Sequence, residues 1–450
     1  MIDPQHSDPS FPAEDRALVM TSSGELRWSD ITSAAHVLVS LLPSGSVAIN
    51  LCERRENFLI GLMALLIKRI LCIVPPSRAP AAVDELLAQY PDGFCLDDAL
   101  VAQVGTRASS ESNGLVLPDR ENALLVAFTS GSTGKPKANP KTWGTFMASA
   151  RLNARALYQV LEARGDRAMP WILATVPSQH MYGVEMTVLL PLFAGMGIHS
   201  ANPLYPADID EALRELPEPR ILVTTPAHLR ALLQSGIELP RLSAVVCATA
   251  QLSVETAQAA ETRLGAPVIE LFGATETCVI ASRRPVLEAE WHLYHGVEIV
   301  PQPEATVVSA PWLASSVLLQ DVVETRGQDR FVVIGRHSDM VKIAGKRASL
   351  AALSRHLTSI PGVVDAVMLQ PESSESGRVQ RLAALVVADG LTGADILLAF
   401  RRLVDPVFLP RPLLLVDHLP RNEVGKLPRE SVLHLLRQAT RSSRDRVDQP

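Results

Sequence analysis

From about residue 120 onward the chain alternates short apolar runs bounded by turn residues with longer stretches whose apolar residues recur every three or four positions. The runs "LLVAF" (124–128), "WILATV" (171–176), "RILVT" (220–224), "LSAVVCAT" (242–249) and "PVIELF" (267–272) have the length and boundaries of buried strands. Between the first two, Met147, Ala150, Ala154, Leu157 and Leu161 mark one apolar face of a helix that follows a Gly/Ser stretch. "EMTVLLPLFAG", "PAHLRALLQSG" and "SVETAQAAETRL" read as further helices, with Ser253 placed to cap the last. Such alternation predicts an α/β fold: mostly parallel sheets covered by helices, with functional loops at the carboxyl ends of strands. Upstream, "FLIGLMALLI" leading into "ILCIV" repeats the motif as a buried helix and a strand.

Near residue 335 the texture changes. "FVVIG", "GVVDAVMLQ" and "RLAALVVAD" read as strands, "LAALSRHLTSI" and "ADILLAFRRLV" as helices, followed by "RPLLLVDHLP". At 450 residues the chain exceeds what one core ordinarily serves. We therefore expect a large N-terminal domain over 1–335 and a smaller C-terminal α+β domain over 336–450, its polar tail "RSSRDRVDQP" frayed.

Charge narrows the partners. A net charge of -6 provides no overall basic field for a nucleic-acid backbone, so nucleic acid is not expected as a partner. The longest apolar segment, 58–74, is interrupted by Lys68 and Arg69, and its first part falls short of the roughly 20 residues a bilayer demands, so no membrane association is expected. The N-terminus lacks the basic start and apolar stretch of a secretory signal, and the 5 cysteines are odd in number and form no CxxC pair. A reduced, cytoplasmic setting is the expectation.

The stretch "TSGSTGKPKANPK", Thr129 to Lys141, poses the chemical question. Six of its first nine residues are Gly, Ser or Thr. A linker belongs between domains, whereas this stretch lies inside one alternating unit. A Walker loop requires G-x-x-x-x-G-K-[ST], and here Gly131 and Gly134 are too close and Pro136 follows Lys135. What remains is a loop of backbone N–H groups and hydroxyls with two cations, Lys135 and Lys137, able to wrap a polyphosphate.

"TSGSTGKPKA" resembles the phosphate-loop signature of the adenylate-forming superfamily: acyl-CoA synthetases, aryl-acid ligases and peptide-synthetase adenylation domains. Three further stretches follow in the family's order. "ELFGATET" resembles the segment that sets an aromatic residue beside adenine, a Thr on the phosphates and a Glu on Mg²⁺, which implies Phe272, Thr275 and Glu276, with Gly273 and Ala274 in the same ATP-binding turn. "LLQDVVETRGQDRFVVIGRHSDMVKIAGKR" resembles the ribose-binding and hinge segment, implying Asp321 for the ribose hydroxyls, Arg336 as the following Arg and Asp339 as the hinge. "LPRNEVGKLPRE" resembles the C-terminal motif, implying Lys426 as the adenylation lysine. In the phosphate loop the resemblance assigns Thr129, Ser130, Gly131, Ser132, Thr133, Gly134 and Lys137 to ATP. The departures are Leu319-Gln320 before Asp321, where Thr-Gly is usual, "ANPK" after the phosphate loop, and an N-terminal domain shorter than usual.

The resemblance implies two half-reactions with ATP and Mg²⁺ as cofactors. A carboxylate attacks the α-phosphorus to give an acyl-adenylate and pyrophosphate; a thiol then takes the acyl group and AMP leaves. Between the steps the small domain turns about its hinge.

"PSQHMYG" resembles the segment that carries a His or aromatic at the acyl pocket, implying His180, Met181, Tyr182 and Gly183. Relatives that activate amino acids place an Asp directly after this His, and those that activate salicylate-type acids an Asn; Met181 offers neither charge nor a strong acceptor, so an apolar or aryl acid is expected. "CATAQLS" resembles the small-residue loop beside the substrate, where Ala248, Thr249 and Ala250 leave room for a flat ring. The overall texture is similar to the stand-alone aryl-acid ligases of xanthomonadin and aryl-polyene pigment pathways. That implies a hydroxybenzoate-type acid and an acyl carrier protein as acceptor. The alternatives are an aryl- or acyl-CoA ligase with CoA as acceptor, and a non-catalytic adenylate-binding sensor.

Overall fold

The computed structural model describes residues 12–75, 77–105, 121–130, 136–336, 339–343, 346–371, 381–422, 425 and 427–447. Chain contacts fall into two compact units, Met1–Val297 with Ser309–Ser315 and Glu298–Val308 with Ser316–Pro450.

The first unit has two sheets. In the larger, Val268–Ala274, Ala244–Cys247, Arg220–Thr224, Trp171–Ala174, Gly197–His199 and Ala17–Thr21 lie side by side in that order and all run parallel. Cys278–Arg283 and then Trp291–Leu293 extend it beyond Val268–Ala274 as antiparallel strands. Ala244–Cys247 is buried at every position and Arg220–Thr224 at all but its first. Continuous burial is why these strands read as unbroken apolar runs: helices cover both faces of a parallel sheet. Leu173, Leu222, Val245 and Val268 meet Leu213, Leu229, Leu232, Ala257 and Ala260 from the covering helices in one apolar cluster. The side chain of Ser253 caps Val254–Leu264 by accepting from the Thr256 N–H at 3.2 Å, as its position implies.

The smaller sheet runs Phe94–Leu96, Val47–Asn50, Leu71–Val74, Ala123–Ser130, Pro136–Thr142, parallel except for the last. That last strand, which the sequence reading did not distinguish, lies between the Gly/Ser residues and the helix expected after them. The chain first returns antiparallel to Ala123–Ser130, and the helix Trp143–Ala163 begins only afterwards, burying the expected face Met147, Ala150, Ala154, Leu157 and Leu161. Pro136 and Pro140 explain the difference, since proline breaks a helix interior yet is tolerated on an edge strand. "EMTVLLPLFAG" is helical but not uniform: Met181–Val184 passes into a π turn, Glu185–Leu189, before Leu190–Phe193. Such π turns are frequent at functional sites.

In the second unit, Asp321–Thr325 and Arg330–Arg336 form a hairpin, as do Met340–Ile343 and Lys346–Ser349. Val363–Leu369, Ala383–Ala388 and Leu413–Leu415 form a three-stranded sheet. Leu353, Leu357, Ile396 and Phe400 pack one apolar cluster of this unit, and Val432 and Leu436 join Leu385 and Leu419 in another. The expected frayed tail is corrected in part: the helix Arg429–Val447 runs through most of it. No helix among the described residues is long and apolar enough to cross a membrane.

Candidate active site

Three segments leave the carboxyl ends of parallel strands of the large sheet: 175–180 after Trp171–Ala174, 248–252 after Ala244–Cys247, and the turn 275–277 after Val268–Ala274, with Arg220–Thr224 between the first strand and the other two. In a doubly wound sheet this is the edge where ligands bind.

The first segment hangs on Arg55, which the sequence reading did not single out. Arg55 opens the apolar helix Arg55–Lys68 and is 1% exposed. It donates to the carbonyls of Ala174 at 2.7 Å and Val176 at 2.8 Å, and to the hydroxyls of Ser178 at 3.2 Å and Thr187 at 3.1 Å. Burial pushes its pKa down to about 9, so the guanidinium keeps its charge at neutral pH. One fixed fork of donors thus holds the loop before His180.

His180 is half-buried and caps the helix Met181–Val184, its Nδ1 accepting from the Tyr182 N–H at 3.3 Å. Met181 and Tyr182 are buried. The Tyr182 hydroxyl lies 3.0 Å from the Val246 carbonyl and 3.3 Å from that of Thr224, which seats this helix on the ends of two parallel strands. Burial raises the Tyr182 pKa well above the ordinary phenol value, so it stays a neutral donor. A side chain at Gly183 would collide with the Pro177 carbonyl, so only glycine lets the turn close here. Val246 leads directly into the second segment, where Ala248 is buried, Thr249 half-buried and Ala250 exposed. Thr249 holds φ 78°, a left-handed conformation that a β-branched residue adopts only under constraint.

Glu270 fixes the far end of this segment. Its Oε1 accepts from the Leu252 N–H at 2.6 Å, while its Oε2 takes Nε of Arg283 at 2.8 Å and a terminal guanidinium nitrogen at 2.7 Å. Both side chains are buried, and the guanidinium carbon lies 4.5 Å from the Trp291 ring centroid. Trp291 in turn packs against Phe272, centroid to centroid 5.3 Å. A buried ion pair therefore ties the loop 248–252 through Trp291 to Phe272.

The third segment is a hairpin turn. Gly273 pairs with Val279 and Ala274 with Cys278, leaving Thr275, Glu276 and Thr277 to cross between the strands. A Cβ on Gly273 would lie 2.6 Å from the Val279 Cα, so the close approach of the strands requires glycine. The Thr277 hydroxyl accepts from the Ala274 N–H at 3.2 Å, and Cys278 enters the next strand at φ 62°. Thr275 and Glu276 are half-buried, with Glu276 in the middle of the turn. The Glu276 carbonyl accepts from Lys141 Nζ at 2.6 Å.

Behind the turn, Glu185 on the π turn is 2% exposed. Its Oε2 accepts from the Ser149 hydroxyl at 2.5 Å, the Val279 N–H at 3.0 Å and Asn153 Nδ2 at 3.2 Å, and Asn153 is held by the Tyr294 hydroxyl at 3.1 Å. Burial raises the Glu185 pKa above its ordinary 4.5, and the three hydrogen bonds only partly oppose it. An acid whose pKa is higher folded than unfolded contributes most at low pH and loses that contribution as pH climbs from the unfolded value through the folded one. We expect Glu185→Gln, which keeps the acceptor but removes the charge, to flatten the fall in stability as pH rises above the ordinary carboxylate value of 4.5, read by urea unfolding at a series of pH values.

Of the other expected residues, Lys137 is exposed on the edge strand, and Thr129 and Ser130 end the strand paired with it. In the second unit, Asp321 and Arg336 are register partners across one hairpin, which brings together the two residues named for the ribose segment; Thr306 Oγ1 donates to the Asp321 carbonyl at 2.6 Å. Asp339 is half-buried immediately before Met340–Ile343. Gly131, Ser132, Thr133, Gly134 and Lys426 lie outside the described residues. The sequence reading missed Arg55, Lys141, Glu185, Glu270 and Arg283. Glu185 and Glu270 each stand as a single charge in an apolar stretch, a legible signal, whereas Arg55, Lys141 and Arg283 sit near other charges and offer none.

Residues 72–311 match the family described as AMP-binding enzyme. An indoleacetate–CoA ligase of Aromatoleum aromaticum is 24% identical over 392 residues, covering 78% of this chain and 74% of that protein. A 4-coumarate–CoA ligase of Rhodobacter capsulatus is 28% identical over 257 residues, covering 54% of this chain and 59% of its own length. The fold is that of o-succinylbenzoate coenzyme A synthetase from Bacillus subtilis in complex with AMP, with a TM-score of 0.79 at 16% identity over 92% of this chain and 95% of that one. The family match spans more than half of the 450 residues, and the chain belongs to the AMP-binding enzymes, the AMP-forming acid–thiol ligases.

Proposed function

We propose that the protein uses ATP to activate an apolar or aryl carboxylic acid as its acyl-adenylate and passes the acyl group to a phosphopantetheine thiol. The observation that carries this is the seating of Tyr182 on the Val246 and Thr224 carbonyls. It brings His180–Gly183 against the strand that leads into Ala248–Ala250, on the same sheet edge as the Glu276 turn. Met181 is buried beside His180, where an α-ammonium would demand a carboxylate, so the acid side of the site is apolar.

In this reading residues 1–335 bind ATP and acid, and 336–450 carry the adenylation lysine. The loop Thr129–Gly134 with Lys137 and Thr275 grips the phosphates, Phe272 lies against adenine and Asp321 accepts from the ribose hydroxyls. Glu276 is a hard oxygen donor on a braced turn, and among the described residues no cluster of three His, Cys, Asp or Glu side chains could hold an ion alone. That donor set fits Mg²⁺, which is ordinarily held by one or two carboxylates together with substrate phosphates, and which when bound neutralises phosphate charge. Lys426 offsets the repulsion between two anions as the carboxylate meets the α-phosphate. Asp339 is the hinge about which the small domain turns for thiol attack.

The names of the relatives favour CoA as acceptor. An acyl carrier protein, in pigment or secondary-metabolite biosynthesis, rests on the narrower sequence resemblance. Pyrophosphate release across benzoates, cinnamates, fatty acids and α-amino acids, each with CoA and with holo carrier protein, tests the whole reading. Benzoates or cinnamates should lead by tenfold or more, on the order of the discrimination one pocket contact provides. α-Amino acids leading would overturn the inference from Met181, and release with no acid would overturn the reading itself.

A further inference from the structure

The strand after the phosphate loop carries a buried cation. Asn139 and Lys141 are two apart and share one face of Pro136–Thr142; both are buried, while Ala138 and Pro140 between them are exposed. Asn139 donates back to the Lys137 carbonyl at 3.1 Å. Lys141, 3% exposed, reaches across 135 residues of sequence to the Glu276 carbonyl at 2.6 Å. Among the described residues this is the one hydrogen bond of its ammonium, which has three N–H donors, and it forms no ion pair. Glu185 feels its charge, yet Glu185 is bonded instead to Ser149, Asn153 and the Val279 amide. A buried ammonium placed on a carbonyl, with a carboxylate nearby that is bonded elsewhere, is poorly explained as a stabilising ion pair. Its position at the centre of the turn, on the residue whose carboxylate faces the nucleotide metal in the reading above, gives it a different purpose.

We infer that Lys141 is a positioning residue for adenylation. Through the Glu276 carbonyl it locks the turn, so that the carboxylate is held ready for the metal–nucleotide complex, and it couples that turn mechanically to the strand emerging from the phosphate loop. The inference rests on the reading of Glu276 as the metal carboxylate.

The test is calorimetric titration of the full-length protein with a non-hydrolysable α,β-methylene ATP analogue at a series of Mg²⁺ concentrations, alongside acid-dependent pyrophosphate exchange. Lys141→Met should raise the Mg²⁺ concentration for half-maximal analogue binding about tenfold, in line with loss of a supporting partner around a metal ligand. Glu276→Gln should do the same, and the double variant should be no worse than Glu276→Gln alone, because both act through one group. Lys141→Gln retains a donor for the carbonyl and should fall between wild type and Lys141→Met. An unchanged Mg²⁺ dependence in Lys141→Met, or an added loss in the double variant, overturns the inference. If Lys141→Met does not stay folded, an unshifted Lys141→Gln overturns it alone. A wild-type protein that exchanges with no acid defeats the proposed function instead, so the two failures are distinct.

Discussion

Lys426→Ala is expected to lower acid-dependent pyrophosphate exchange by about 10²–10³-fold, the loss typical of removing one preorganised charge partner of a transition state. Thioester formation from a synthetic acyl-adenylate should stay within a few-fold of wild type. The split follows from the proposed geometry of the reaction: the lysine opposes negative charge only while carboxylate and α-phosphate approach one another. The chain leading to it is well anchored. Arg421 grips both Asp365 oxygens at 2.8 Å and donates to the Gly425 carbonyl at 2.6 Å, and Gly425 takes φ 74°. A bidentate pair of this kind fixes direction as well as distance, so the Gly425 carbonyl is held in place. Single-turnover assays of the two half-reactions decide the matter; an equal fall in both would show that Lys426 serves folding or binding rather than the first chemical step.

The second large effect is on stability. Glu270→Ala strands the Arg283 guanidinium in a site 7% exposed on its side chain and deprives the Leu252 N–H of its acceptor. Removing one partner of a buried ion pair typically costs about 3–5 kcal/mol, a large share of the roughly 5–15 kcal/mol that holds a domain together. Denaturant unfolding should register a loss of that order. The Trp291 face beneath the guanidinium softens the penalty but cannot replace two charge-assisted hydrogen bonds. Replacing the pair together, Glu270→Leu with Arg283→Met, should recover much of the loss, because no buried charge then lacks a partner. If the double replacement were as unstable as Glu270→Ala, the cost would lie in packing.

These two residues also show where sequence reasoning stops. The alternation of strand and helix was legible because burial on both faces of a parallel sheet writes itself as continuous apolar runs, and an amphipathic helix such as Trp143–Ala163 as a three-four spacing. The loops at strand ends were legible through the resemblance of "TSGSTGKPKA" and "ELFGATET", whereas the hairpin register between Asp321 and Arg336 was not read from the sequence. The strand Pro136–Thr142 was hidden because two prolines and two lysines in seven residues lack strand-like composition, and only pairing with Ala123–Ser130 makes it one. The buried charges were hidden for a related reason. Arg55 binds residues more than a hundred positions away, and Glu185 a backbone amide 94 positions away, and no local periodicity encodes such partners.

The bond from Lys141 to Glu276 also has a meaning in time. At about 5–20 residues per second of synthesis, a partner 135 residues downstream follows roughly 7–27 seconds later. During that interval the nascent chain carries a lysine meant for burial with nothing to bury it against. The hairpin beside the phosphate loop can form early, since its strands are neighbours in sequence, but the turn that it braces cannot. In the proposed reading, the nucleotide site cannot be finished on the growing chain before the segment around Val279 has been made.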